Sequence, residues 1–332
     1  MKPFPGPSCK AVCTKPIQKG FALLTVLLVV AVVSVLGSNI LYKEHLSLKR
    51  STYMLHQSQS LSVLYGLESW IKTGLKLDAE NSTLDALSER WAQPLVAIPF
   101  EGGEITGQLE DLLAKINVNN LLEKEPDKQR LWRALLTRYA VNLELKSNFV
   151  DSLTDWIDSD DEPLPLGAES ETYLLKVPAY RTANQAVVTL SELKNVQGLN
   201  ALSRKQWDQF QQGITALPMV TAININTVSE IVLLSLTDWM NQEIAQAWIH
   251  QRKIEPAQSV EDFKAFLTEQ TGYAVKEIER DLPDWMITVQ SQFFLLKGHI
   301  HYGDSDQGFS AIFYRGIDAK VSLLQRWLSA SE

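Results

Sequence analysis

Between Asp151 and Glu171 the chain carries Asp151, Asp155, Asp158, Asp160, Asp161, Glu162, Glu169 and Glu171, with no base among them. Carboxylate oxygens this close together repel unless they are solvated or neutralised. They are the hard ligands that suit Ca²⁺, which gathers about 6–8 oxygens. Asp158, Asp160 and Glu162 stand at positions 1, 3 and 5 of an EF-hand-like spacing, and Glu169 falls at position 12. Pro163 occupies position 6, where that loop needs Gly, so this is not an EF-hand. Asp155, Asp158, Asp160, Glu162 and Glu169 are the candidate ligands of a cation. A solvated acidic loop would have the same composition, and the residues alone leave both readings open.

Other chemistry has little support. There is no G-x-S-x-G, no phosphate loop and no H-E-x-x-H. His299 and His301 share one face of an expected strand beside Lys297, and read as surface residues. The segment Ile223-Asn-Ile-Asn-Thr-Val228, followed by Ser229–Leu236, Gln246–Arg252 and Val260–Phe266, resembles a helix-hairpin-helix unit of DNA-uptake proteins. Its turn carries Asp238 and no Gly, and the chain has a net charge of −8. Both features oppose binding to phosphate backbones. No nucleic acid is expected as a partner, and the chain reads as a non-enzyme.

The elements that position these residues begin at the N-terminus. Lys2, Lys10, Lys15 and Lys19 form a basic leader ending at Gly20, and Phe21–Leu41 is free of charge. At about 1.5 Å per residue that run makes roughly 30 Å of helix, enough to cross a bilayer. The positive-inside rule keeps the leader cytoplasmic and sends the remainder across the membrane. Both cysteines, Cys9 and Cys13, lie within the leader, so nothing after it can build a disulfide framework.

Beyond Leu41 the apolar residues become periodic (Leu46, Tyr53, Met54, Leu61, Leu64, Leu67, Trp70, Ile71, Leu75), and no Pro interrupts Phe21–Leu75. One continuous helix is expected there. Glu101–Asp111 reads as a turn and a short strand. Phe293–Tyr302 and Phe309–Ile317 read as strands around a turn at Gly303-Asp304-Ser305-Asp306, and Val321–Leu328 as a last strand. Between them the pattern is helical: Gln129–Asn148, Leu190–Val196, Lys205–Gly213, Ser229–Arg252 and Val260–Thr271. A helical block that splits a small sheet points to an insertion rather than to tandem domains.

The Gly-Phe junction placed before the apolar run resembles the leader of prepilins and pseudopilins. Further strings follow in order: Trp91-Ala-Gln-Pro94, Ile116-Asn-Val-Asn-Asn-Leu121, Asp155-Trp-Ile-Asp158, Gly167-Ala-Glu169, Tyr180-Arg-Thr-Ala-Asn184, Ser191-Glu-Leu193, Ala216-Leu-Pro218 and Ile223-Asn-Ile-Asn-Thr227. Together they are similar to the type II secretion system protein K family, the large minor pseudopilins. The resemblance implies an α+β fold, pilin-like, with a long N-terminal transmembrane helix and a small antiparallel sheet interrupted by a large, mostly α-helical insertion. In residues, 1–20 is the leader, 21–41 the membrane half of the helix, 42–118 and 286–332 the pilin-like domain, and 119–285 the inserted domain.

The implied role is to cap the tip of a pseudopilus and to help initiate its assembly for protein export. The implied partners are two other minor pseudopilins, the prepilin peptidase, the inner-membrane secretion platform and, as further candidates, secreted substrates. The resemblance also implies calcium in the helical domain. Most pilin-class chains carry Glu at the fifth mature position, to pair with a neighbour's amine, and here that position is Thr25. A carboxylate in a dry bundle is costly without such a partner, so a neutral residue suits a subunit with nothing above it. The competing reading is an uncleaved, membrane-anchored periplasmic binding module whose helix-hairpin-helix-like segment would take nucleic acid.

Cleavage is expected between Gly20 and Phe21, leaving a chain that starts at Phe21, and Gly20→Ala should slow it. Intact mass and N-terminal analysis decide this. A chain that keeps residues 1–20, or that starts after Ser38, overturns the leader reading.

Overall fold

The computed structural model describes residue 6 and residues 21–146, 148–303 and 305–330. Gly20, and with it the expected cleavage point, lies outside them, as does Asp304 of the expected turn. The chain divides into two units, one up to Gln59 and one from Ser60 onward.

Helix α1 runs Phe21–Asn81. Its residues from Phe21 to Leu41 are uncharged, mostly apolar and exposed almost all round. The helix is long and apolar enough to cross a membrane. From Ser60 onward its character changes. Leu64, Leu67, Ile71 and Leu75 are buried in one stripe at helical spacing.

That stripe packs on a five-stranded sheet of order β1-β2-β7-β8-β9, antiparallel throughout. Strands β1 (Leu95–Phe100) and β2 (Gly103–Asp111) form the first hairpin. The chain then leaves the sheet for the helical block. Within that block come the short strand β3 (Ile116–Asn117) and the helices α2 (Pro126–Asn142), α3 (Phe149–Ile157), α4 (Ser170–Leu174) and α5 (Arg204–Gln212). They are followed by β4 (Ile214–Thr215), β5 (Ile223–Asn224), α6 (Glu230–Leu233), α7 (Gln242–Ile254), α8 (Val260–Thr271), α9 (Val275–Asp281) and β6 (Ile287–Thr288). The chain re-enters the sheet as β7 (Phe293–Tyr302), β8 (Ser305–Arg315) and β9 (Val321–Ala330).

Ile105, Leu109, Phe294, Leu296, Ile300, Phe309, Ala311 and Phe313 complete the core under α1. Buried Glu68 of α1 takes a two-pronged ion pair from Arg326 of β9, which ties the helix across the sheet. Pro99 sits in β1, an edge strand, where the missing N–H costs no ladder bond.

The helical block has its own core, built on Trp132, Tyr139, Phe149, Leu153, Phe210, Trp248 and Phe263. Its loops are held by buried asparagines. Asn117 accepts from Asn119 N and Leu217 N, and donates to Met219 O. Asn120 bonds both N and O of Thr221, and Asn226 does the same with Ala257. The strings Ile116-Asn-Val-Asn-Asn and Ile223-Asn-Ile-Asn-Thr therefore serve as turns that also reach across the block.

Two expected helices are broken. The run Gln129–Asn148 ends at Asn142, because Glu144 takes a left-handed conformation (φ 57°). The run Ser229–Arg252 is split into α6 and α7. Arg138 of α2 captures the carbonyls of Ser235 (2.8 Å) and Leu236 (2.7 Å) between them. Asn241 then caps α7 through Ile244 N at 3.0 Å. A pattern of apolar residues registers neither event. In contrast, Val260–Thr271 is helical as read. It opens on the Ser259–Asp262 capping box and closes on Gly272 at φ 73°.

The helical block joins the sheet at a buried polar knot. Asp111, the last residue of β2, accepts from Leu113 N (2.8 Å), Asn224 Nδ2 (3.0 Å), Thr227 Oγ1 and Ser291 Oγ. Asn224 Nδ2 also reaches Asp85 O at 3.0 Å and Ser291 Oγ at 2.8 Å. Asn224→Ala would remove one of the four donors to Asp111 and the side-chain donor to the buried Asp85 carbonyl. It should lower the unfolding free energy by about 2–4 kcal/mol, the cost of leaving buried polar groups unpaired. Denaturant titration of the full chain in detergent checks this, and a loss below about 0.5 kcal/mol would show that the knot is not a stability determinant.

Candidate functional site

The acidic segment follows α3. That helix buries Phe149, Val150, Leu153, Trp156 and Ile157, and ends at Asp158. The following loop cannot continue a helix, because Pro163 and Pro165 interrupt it. Gly167 lets the loop pass tightly over α3. A Cβ built there would lie 1.8 Å from Asp155 Oδ2, so any side chain would displace the carboxylate. Glu169 then opens α4, accepting from Ser170 N at 3.3 Å.

The candidate ligands fall into three groups. Asp158, Asp160 and Glu169 converge, each offering an oxygen within 4.8 Å of the others. Asp155 is fully buried, and both its oxygens accept from Leu164 N at 3.2 Å. It organises the loop backbone. Glu162 is exposed, and its own N–H donates to Asp160 Oδ1 at 3.0 Å. It lies outside the convergent group. Asp151 accepts from Leu166 N at 3.2 Å and pairs with Arg133 at 2.6 Å, so it is engaged elsewhere.

The electrostatics of the group are unresolved by protein partners. Asp158 Oδ1 and Glu169 Oε1 are buried and have no hydrogen-bond partner, and Glu169 is 4% exposed. Burial and the charges of Asp160, Asp155 and Glu169 push the Asp158 carboxyl up to about 7. Burial likewise raises Glu169.

Asn184 was not among the sequence candidates. Its backbone N donates to Trp156 O at 3.0 Å and its Nδ2 to Asp160 O at 3.4 Å. Its Oδ1 is a third buried oxygen without a partner. It stands at φ 47°, a strained conformation that Asn tolerates better than most residues. The string Tyr180-Arg-Thr-Ala-Asn184 marks the position by resemblance but gives it no ligand role. Orphaned carboxylate oxygens and an orphaned amide oxygen are the donor set of a hard divalent cation, and the residues present fit Ca²⁺.

The other singled-out positions lie on α1. Phe21 opens the helix and is 75% exposed. Thr25 Oγ1 donates to Ala22 O at 2.9 Å, so its hydroxyl is satisfied within its own helix. The histidines do not converge: His299 and His301 are both exposed on β7. Asp238, which argued against a phosphate in the helix-hairpin-helix-like segment, pairs with Arg138 at 3.1 Å.

Two family models match the chain, both described as type II secretion system protein K, over residues 114–219 and 223–278. The type II secretion system protein K of Pseudomonas aeruginosa is 31% identical over 320 residues, covering 93% of this chain and 92% of the relative. That of Pectobacterium carotovorum is 29% identical over 324 residues, covering 93% and 96%. Among solved structures, a chain of the GspK-GspI-GspJ complex from the enterotoxigenic Escherichia coli type 2 secretion system shares the fold. Its TM-score is 0.75 at 24% identity, over 85% of this chain and all of that one.

Proposed function

The chain belongs to the protein K family of the type II secretion system, and from that we propose that it caps the tip of a pseudopilus and helps to start its assembly for protein export. Its role is structural rather than catalytic. The observation that carries the reading is the insertion of the helical block between β2 and β7 of the sheet on which the lower half of α1 packs. A subunit inside a helical filament needs neighbours above and below. A block of this size set into the sheet leaves room for neighbours on one side only. Thr25 supports the same position, since its self-satisfied hydroxyl asks for no amine from a chain above. The anchor is the exposed apolar stretch Phe21–Leu41, placed in the inner membrane with its N-terminus cytoplasmic and the sheet and helical block periplasmic. Because the related solved chain crystallised with two partners, two other minor pseudopilins are the inferred tip companions. The prepilin peptidase and the inner-membrane platform are the inferred handlers of the leader and of the anchor.

Ca²⁺ is the inferred ion of the acidic loop, held by Asp158, Asp160 and Glu169 with Asn184 Oδ1 as an additional oxygen. Bound there, it would neutralise the crowded carboxylates and fix the loop between α3 and α4. Asp155 acts from beneath by holding the loop backbone through Leu164 N.

Labelling the chain in assembled filaments tests the tip role. Signal at one end supports it, and signal repeated along the shaft overturns it. Calcium is tested by melting the full chain with Ca²⁺ and with chelator, where a higher Tm with Ca²⁺ is expected, and a much smaller gain for Glu169→Gln. The sign with pH follows from Asp158, whose carboxyl rises from 3.8 to about 7 on folding. The metal-free fold therefore binds a proton that the unfolded chain releases, and metal-free stability falls as pH rises through that window. Calcium needs the ionised carboxylates, so the gap between the two curves should widen from about pH 5 to about pH 8. Identical curves at every pH would overturn the ion.

A further inference from the structure

A second set of acids meets where α1 ends. Asp78 stands in the last turn of α1, and Asp85 and Glu89 follow in the connection to β1. Each offers an oxygen within 4.8 Å of the other two, roughly twice a Ca²⁺–O distance of 2.3–2.6 Å. Asp85 is fully buried. Its Oδ2 accepts from Ser291 N at 2.7 Å and from Arg315. Its Oδ1 is buried with no hydrogen-bond partner. The Asp78 carboxylate stands within hydrogen-bonding reach of Asp85, and ionised carboxylates have no proton to give each other. Glu89 is pinned by one oxygen, Oε2, to Ala86 N at 2.9 Å and Trp91 Nε1 at 3.0 Å.

Charge decides between the occupants that could sit among these oxygens. Arg315 is the guanidinium in the group, reaching Asp78 at 3.1 Å and Asp85 on one side. Three carboxylates against one cation leave two negative charges in a largely buried spot, and unpaired buried charge is costly. A proton shared by Asp78 and Asp85 removes one of them and does not engage Glu89. A divalent ion removes both and uses all three. Asp111 close by does not compete, because four donors already satisfy it.

We propose that Asp78, Asp85 and Glu89 form a Ca²⁺ site separate from the acidic loop, with the unpartnered Asp85 Oδ1 as its buried ligand. The ion joins the end of α1 to the β1 connection, and through Arg315 and Ser291 to the entry of β7 and the end of β8. It sits beside the Asp111 knot and so stiffens the junction where the helical block meets the sheet. The site is independent of the loop ion, with which it shares no residue.

The test counts calcium. Full chain in detergent, stripped with chelator and dialysed against excess Ca²⁺, is measured for bound metal per chain. Glu89→Gln keeps an oxygen for Ala86 N and Trp91 Nε1, and should lose one calcium relative to the unmutated chain. Glu169→Gln should lose a different one, and the double variant both. If Glu89→Gln fails to fold by circular dichroism, Asp78→Asn is counted in its place, with the same loss expected. Full retention of calcium in these variants overturns the site and leaves a shared proton as its occupant. Retention in Glu169→Gln together with loss in Glu89→Gln overturns the loop ion alone.

Discussion

The junction between the sheet and the helical block depends on one buried carboxylate being satisfied from three directions. Asp111 ends the strand at which the chain leaves the sheet, and Ser291 lies just before the strand at which it returns. Asn224 and Thr227 belong to the helical block itself. Burial raises the Asp111 carboxyl, and the donors around it oppose that rise. A charge so placed is tolerable only while its donors are in register. The same contacts that make the carboxylate affordable therefore fix the block against the sheet.

The helical block solves a related problem with neutral groups. Its long connections would leave many backbone N–H and C=O groups buried and unpaired. Asn117, Asn119, Asn120 and Asn226 each bridge backbone atoms far apart in the chain. A side-chain amide is suited to this because it donates and accepts at once. The acidic loop is the exception. There the backbone is organised by Asp155 and Asp151, and the oxygens left over at Asp158, Glu169 and Asn184 are acceptors only or lack a donor. The chain supplies structure around that space, and the proposed Ca²⁺ would supply the positive charge.

Along α1 the two halves answer to different solvents. The stretch Phe21–Leu41 is uncharged and mostly apolar all round, a character suited to lipid or to another apolar helix. From Leu64 one stripe of apolar residues is buried, and Glu68 within that region is tolerated because Arg326 meets it with two N–H groups. Thr25 fits the first regime, since a hydroxyl bonded to its own helix places no unmet demand on the bilayer.

The sequence alone determined the features governed by local period and local charge. The uncharged run from Phe21, the stripe at Leu64–Leu75, the strand Phe293–Tyr302, the helix Val260–Thr271 and the acid-rich string after Asp151 all read directly, because each depends on neighbours within a few residues. Tertiary structure decided what depends on groups brought from afar. Arg138 breaks the expected helix over 229–252 by taking carbonyls about a hundred positions away. Which acids converge was likewise invisible: Asp158, Asp160 and Glu169 meet, while Glu162, in the same string, faces solvent. Asn184 ends a string quoted for the family resemblance, but nothing local marks it as an oxygen ligand, and the group of Asp78, Asp85 and Glu89 with Arg315 carries no local signature. Spacing along a chain fixes which residues share a face of one element. Which oxygens share a buried volume is fixed only when separate elements pack, because burial, and not proximity in sequence, sets the cost of leaving a charge unpaired.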